Sequence, residues 1–141
     1  MRRARASWRE ALGGIALCAL PLLGSCAGED APPLARLQWG AIDVMVETRP
    51  SPPEPGNTEV LVLLTGSHRE PIHDALIDLR ARPDAPWVQA IQDGHTGAYR
   101  RAVSMPAQIA GANLTLRLRR GPNEETFLVP LIATTRSTGV Q

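Results

Sequence analysis

The sequence predicts an all-β domain, an immunoglobulin-like antiparallel β-sandwich of about seven strands, preceded by a signal peptide and a flexible tether. Apolar and polar residues alternate with a period of two, most clearly in Leu114–Arg119, which is typical of half-buried strands. Turn-forming residues separate the alternating segments, as in Pro50–Asn57 and Gly121–Asn123. No convincing amphipathic helix interrupts this pattern.

The first 25 residues have the features of a secretion signal. Several arginines precede an apolar stretch, Ala11–Leu23, which is too short to span a bilayer comfortably. Leu23-Gly24-Ser25-Cys26 then resembles the lipobox of bacterial lipoproteins. The resemblance implies cleavage between Ser25 and Cys26 and lipidation of Cys26, so that membrane lipid becomes a partner through the acyl chains. The alternative is an ordinary secretory signal that leaves Cys26 as a free thiol.

The residues after Cys26 predict a tether and a location. Cys26–Gln38 contains glycine, prolines and acids that discourage regular structure, so we expect this segment to hold the domain away from the membrane. Ala27 and Gly28 lack the aspartate that retains some lipoproteins at the inner membrane. We therefore expect an outer-membrane anchor with the domain facing the periplasm.

Charge and cysteine content exclude several classes of protein. Of the 15 arginines and 14 acids, four arginines and one glutamate lie in the signal, and the rest of the chain is slightly acidic. That balance argues against a nucleic-acid binder. Cys18 leaves with the signal and Cys26 takes lipid, so the mature domain has no disulfide and depends on its core.

The folded domain is expected at residues 39–132, with a polar tail at 133–141. Thr58–Thr65 is almost continuously apolar and predicts a central strand covered on both faces. Pro130 lacks a donor for a ladder, which predicts either an edge strand or a bulge at Pro130. In the strand before it, alternation points Leu116 into the core and Thr115 to solvent. The seven expected strands are 41–47, 58–65, 75–82, 87–92, 98–105, 114–119 and 127–131.

Three landmarks carry a resemblance to a family. A proline-rich lead precedes the apolar strand ending at Leu64, Pro71–Ile77 reads Pro-Ile-x-x-Ala-x-Ile, and Gly97-Ala98-Tyr99 opens another strand. Over Ile42–Leu131 the chain resembles the FixH-like and YtkA-like group of bacterial immunoglobulin-like domains. The resemblance implies a periplasmic, membrane-associated accessory domain, with some relatives linked to copper handling or respiratory-complex assembly. Their methionine-rich stretch is missing here around Arg82–Pro86.

Several residues of these landmarks have structural roles that do not depend on the family. Gly94 and Gly97 permit positive φ in a tight corner. Tyr99 combines a large apolar ring with a hydroxyl that can bond the backbone of a loop, as in tyrosine corners.

Three histidines are the candidate metal ligands. His68, His73 and His95 lie in two turns that one end of a sandwich would bring together. Three neutral imidazoles suit Zn²⁺ or Cu²⁺. The alternative is three exposed loop histidines with no ligand.

Exposed arginines are the candidate partner-binding residues. Arg117 and Arg119 project from the polar face of one strand, and Arg100 lies on another. If these strands pair, the arginines form a patch for an anionic headgroup or an acidic partner. The alternative is a solvated sheet face.

No catalytic residue is predicted. The sequence contains neither a G-x-S-x-G elbow nor an H-E-x-x-H, G-x-G-x-x-G or P-loop motif. We therefore expect no enzyme and no cofactor, but a binding or accessory module of the cell envelope with an unknown protein partner. The alternative function is handling of copper or zinc through the loop histidines.

Overall fold

The computed structural model describes residues 31–132, which form β-strands joined by turns and loops. No helix in this range has the length and apolarity that crossing a bilayer requires. The strands are β1 (Ala35–Trp39), β2 (Ile42–Arg49), β3 (Gly56–Thr65), β4 (Leu76–Arg80), β5 (Val88–Gln89), β6 (Ile91–Gln92), β7 (Ala98–Met105), β8 (Asn113–Arg120) and β9 (Asn123–Pro130).

The strands form two antiparallel sheets. The first sheet has the order β1-β2-β3-β7-β6 and the second has the order β5-β4-β8-β9. Within them, β2-β3-β7-β6 and β4-β8-β9 follow the strand orders of the two sheets of an immunoglobulin constant-type sandwich. The expected fold class is confirmed, with nine described strands instead of about seven.

The two additional strands have separate physical causes. The expected strand 87–92 divides at buried Ala90, whose N–H donates to the Ile77 carbonyl at 2.8 Å. On either side of Ala90 the chain pairs first with β4 and then with β7, so it crosses from one sheet to the other. The expected tether ended too late, because β1 begins at Ala35 and pairs with β2 along its whole length. Trp39, at its end, is buried in the core.

The core lies between the sheets and follows the alternation. Leu114, Leu116 and Leu118 of β8 are fully buried, as predicted for Leu116. The expectation for Thr115 was wrong, because this residue is only 9% exposed. Thr115 points to the outer face, but it lies between the longer side chains of Arg80 and Leu128 on the paired strands.

The edge position predicted for the last strand is confirmed. Strand β9 pairs with β8 on one side and is the outermost described strand of the second sheet. Pro130 is its final residue and pairs with Asn113, where a missing donor costs the ladder little.

A tyrosine and a glycine fix the loop between β3 and β4. The Tyr99 hydroxyl donates to the Ile72 carbonyl at 3.1 Å and accepts from the Ala75 N–H at 3.2 Å, which confirms the predicted bond to a loop backbone. Gly97 has a φ of +74°, and a Cβ there would lie 2.6 Å from the Leu64 carbonyl oxygen. Loop 66–75 is therefore held against loop 93–97 at one end of the sandwich.

Candidate binding surface

The predicted lipidation and cleavage residues, Ser25 and Cys26, lie outside the described residues. The structure does describe where the chain enters the domain. Ala31–Pro33 line a cleft with Arg49–Ser51, at the end of the sandwich opposite to loops 66–75 and 93–97. Strand β1 then begins beside Val46, midway along β2, and runs toward the turn at Gly40.

The three histidines lie in loops 66–75 and 93–97, but the structure brings only two of them together. The rings of His73 and His95 meet edge to face with centroids 5.2 Å apart. His68 is held apart in its turn, where its Nδ1 lies 3.3 Å from the Ser67 hydroxyl oxygen. Within residues 31–132, no group of three histidine, cysteine or acidic side chains has the geometry to hold a metal ion.

Two acids near the histidines are occupied by other partners. Glu70 accepts the His68 N–H at 2.8 Å, and the backbone N–H groups of Glu70 and His68 lower the pKa of its carboxyl group. Asp74 accepts from the Arg120 Nε at 2.7 Å, and this bond lowers the pKa of Asp74. Both carboxylates are therefore already engaged within the protein.

The structure does not bring Arg100 together with Arg117 and Arg119. Strand β7, which carries Arg100, belongs to the first sheet, and β8 belongs to the second. Arg100 forms an ion pair with Asp93 at 3.0 Å and lies 3.9 Å from Glu59. The two strands do not pair, because each is paired within a different sheet, so the condition for a single patch of these three arginines is not met.

Arg117 and Arg119 instead converge on an aspartate of the neighbouring strand. One oxygen of Asp78, Oδ2, accepts from Arg117 Nε at 3.2 Å, from an Arg117 terminal nitrogen at 2.9 Å and from an Arg119 terminal nitrogen at 2.8 Å. Asp78 is only 6% exposed although it lies on the outer face of the sheet. Its register partner on β8 is Arg117, which accounts for the close approach.

Trp87 joins this group from the loop that follows β4. The Arg80 and Arg117 guanidinium carbons lie 4.3 and 4.4 Å from the centroid of its ring, within the range of cation–π contacts. Arg80 also donates to the Pro83 carbonyl at 3.2 Å, which ties the strand to that loop. We call this group the arginine–tryptophan surface; it consists of Asp78, Arg80, Trp87, Arg117 and Arg119.

Sequence reasoning missed three members of the arginine–tryptophan surface. The period of two in β4 places Asp78 and Arg80 on the face opposite to Ile77 and Leu79, so their shared outward face was readable from the sequence. The pairing of β4 with β8 was not, because alternation defines faces and not neighbours. No sequence signal indicates that Trp87 folds back over the sheet.

No family model matches this chain, and neither a curated protein nor a solved structure gives a significant match.

Proposed function

We propose that this protein is a lipid-anchored component of the bacterial cell envelope that binds a partner and catalyses no reaction. The lipobox-like sequence ending in Cys26 supports the anchor. The arginine–tryptophan surface supports the binding role, and it is the observation that carries the proposal. On an outer sheet face, two guanidinium groups are hydrogen-bonded to one carboxylate, and a third, that of Arg80, is held by Trp87 and the Pro83 carbonyl.

The position of the first strand supports an orientation for the anchored domain. Cys26 and Ala35 are nine residues apart in the sequence, and a fully extended chain of that length spans about 30 Å. The domain is thereby held near the membrane by the end at which Ala31–Pro33 enter it, beside Arg49–Ser51. The outer face of the second sheet lies along the side of the sandwich and is accessible to a periplasmic partner.

The composition of the arginine–tryptophan surface supports binding to a protein. Tryptophan and arginine are the residues most enriched among those that dominate the energy of protein interfaces. The surface is also preorganised, because stacking on Trp87 and bonds to Asp78 already restrict the arginine side chains. Preorganised side chains lose less conformational entropy on binding.

The anchor is tested by acyl labelling in cells. We expect labelled fatty acid to be incorporated into the wild-type protein, and Cys26→Ser to abolish both the label and maturation after Ser25. Anchoring takes two or more chains, because each buried methylene contributes only about 0.8 kcal/mol. Label and membrane association that persist in Cys26→Ser would contradict the anchor.

The binding role is tested by photocrosslinking in cells. A photoreactive amino acid at Leu128, which is exposed beside the arginine–tryptophan surface, should give one discrete adduct that Arg119→Gln abolishes. The control position is Ala102, which is exposed on the outer face of the first sheet. Equal adducts at both positions, or none at Leu128, would contradict the binding surface.

The alternative function, handling of copper or zinc, is supported by the contact between His73 and His95. Two imidazoles alone do not complete a tetrahedral zinc site. We therefore expect only weak binding when the protein is titrated with Cu²⁺ or Zn²⁺. Submicromolar affinity that is lost in His73→Ala and in His95→Ala would favour the alternative.

A further inference from the structure

The arginine–tryptophan surface retains donors that its own carboxylate does not use. Each guanidinium carries five N–H donors. The hydrogen bonds described above use two donors of Arg117 and one each of Arg80 and Arg119. Within residues 31–132, the Nε atoms of Arg80 and Arg119 are buried and make no hydrogen bond. The single carboxylate of Asp78 therefore satisfies the three guanidinium groups only in part.

Two exposed leucines border the arginine–tryptophan surface on its own face. Leu76 is 47% exposed and pairs directly with Arg119, and Leu128 is 66% exposed and pairs with Thr115. Both are large apolar side chains that a solvated sheet face does not require. A ligand that covers the whole surface thus meets positive charge between two apolar positions.

A local acid distinguishes an acidic protein segment from an anionic bilayer. Glu124 pairs with Arg119 across β8 and β9, on the outer face of the second sheet. Its carboxylate repels a continuous negative surface that is pressed against the sheet. A polypeptide segment avoids the repulsion, because its own carboxylates can be placed opposite the arginines alone.

We infer that the arginine–tryptophan surface binds an acidic protein segment that also carries apolar side chains. This inference rests on the proposed function and names the chemistry of the partner. One carboxylate of the segment accepts hydrogen bonds from the terminal nitrogens of Arg119 and Arg80, beside Asp78. Apolar side chains of the segment pack on Leu76, Leu128 and the half-buried Trp87.

Asp78 has a second consequence for this site, because it is an internal competitor for the same guanidinium groups. Asp78→Asn keeps an acceptor oxygen of similar shape but removes the negative charge. The variant should therefore bind an acidic ligand more tightly, although it is less stable. Opposite effects of Asp78→Asn and Arg119→Gln are expected only if the ligand binds at this cluster.

The experiment measures fluorescence anisotropy with the full-length protein in neutral detergent. The probe is a short, labelled synthetic peptide of alternating glutamate and leucine, and the control peptide has glutamine in place of glutamate. We expect the acidic peptide alone to bind, Arg119→Gln to weaken binding about tenfold, and Asp78→Asn to tighten it severalfold, since bonds to charged groups have this magnitude. Arg36→Gln, which removes an exposed arginine from β1 at the edge of the first sheet, is the matched control and should leave binding unchanged. Thermal melts verify that each variant is folded.

Several outcomes would overturn the inference. Equal weakening in Arg119→Gln and Arg36→Gln would mean that only net charge attracts the peptide. Tight binding to phosphatidylglycerol vesicles with no binding to the peptide would assign the surface to lipid headgroups. Displacement of the peptide by inorganic phosphate at the same concentration would show that the surface binds any small anion and does not recognise a protein segment. A failed peptide experiment beside an intact cellular adduct at Leu128 would overturn this inference and leave the proposed function standing.

Discussion

The outer faces of the two sheets carry the same kinds of charged residue in different arrangements. On the first sheet, Glu59 lies 3.9 Å from both Arg49 and Arg100, and all three side chains are more than a third exposed. On the second sheet, Asp78 lies within 3.2 Å of nitrogens of Arg117 and Arg119, and its side chain is only 8% exposed. One acid thus faces two arginines on each sheet, but only Asp78 is withdrawn from water.

The difference shows that environment, more than composition, determines what a charge cluster contributes. Exposed ion pairs at nearly 4 Å are screened by salt and contribute between zero and about 1 kcal/mol. Water cannot replace the hydrogen bonds of a desolvated carboxylate that accepts three of them. Removing that carboxylate by mutation therefore lowers the free energy of unfolding by more. The following predictions test this contrast, from the largest expected effect to the smallest.

The largest effect is expected in the core, on which both outer faces depend. Leu116 is fully buried between the sheets, so Leu116→Ala removes apolar contacts and leaves a cavity. The expected loss of unfolding free energy is about 2–5 kcal/mol, measured by thermal and urea melts of the chain from residue 26 onward. Leu128→Ala on the exposed face should change it by less than about 0.5 kcal/mol. Equal, small effects of the two substitutions would contradict the burial of Leu116 between two sheets, and with it the comparison of their outer faces.

The second prediction compares the two acids directly. Asp78→Ala leaves the guanidinium groups of Arg117 and Arg119 facing each other without their shared acceptor. We expect a loss of about 1–3 kcal/mol in unfolding free energy. Glu59→Ala on the first sheet should cost less than about 1 kcal/mol. Urea melts at low and high salt measure both, and a Glu59 variant as destabilised as the Asp78 variant would refute the contrast.

The third prediction concerns the bond that links the sheets. Tyr99 belongs to the first sheet and is 2% exposed, and its hydroxyl holds the loop that leads into β4 of the second. Tyr99→Phe leaves the Ile72 carbonyl and the Ala75 N–H without this partner, which should cost about 1–2 kcal/mol.

Because Tyr99 is ionisable, we also expect the free energy of unfolding to depend on pH. Burial raises the pKa of Tyr99 above its ordinary value of 10.0, because the phenolate is disfavoured in the core. The stabilisation is therefore complete below pH 10 and is lost as the pH rises through the pKa of the folded state. Melts between pH 8 and pH 11 should show this loss in the wild type, and a Tyr99→Phe protein with the same alkaline decline would contradict the assignment.

The alternation of residues made the faces of these strands predictable, but not their neighbours. Leu114, Leu116 and Leu118 are inward in the sequence pattern and in the fold, because the side-chain period of a strand is two. Strand β1 was missed because it follows directly on a proline-rich segment whose composition favours a tether. The pairing of Arg117 with Asp78 depends on contacts between residues 39 positions apart, which no local pattern contains.

The smallest effect is expected for Asp74, in the loop before β4, and Arg120, the last residue of the strand that also carries Arg117 and Arg119. Their hydrogen bond is short at 2.7 Å, but both side chains are substantially exposed. Arg120 lowers the pKa of Asp74, so the folded state favours the carboxylate. The stabilisation is present above the pKa of the unfolded state, near 3.8, and is lost as the pH falls through the lower pKa of the folded state.

Asp74→Asn should therefore leave a slightly less stable protein at pH 7 and a shallower decline in melting temperature below pH 4. High salt should shrink the difference between the two proteins at pH 7, because exposed charges are screened. If instead the difference at pH 7 matches that of Asp78→Ala and is insensitive to salt, then exposure is not what separates weak from strong charge clusters in this protein.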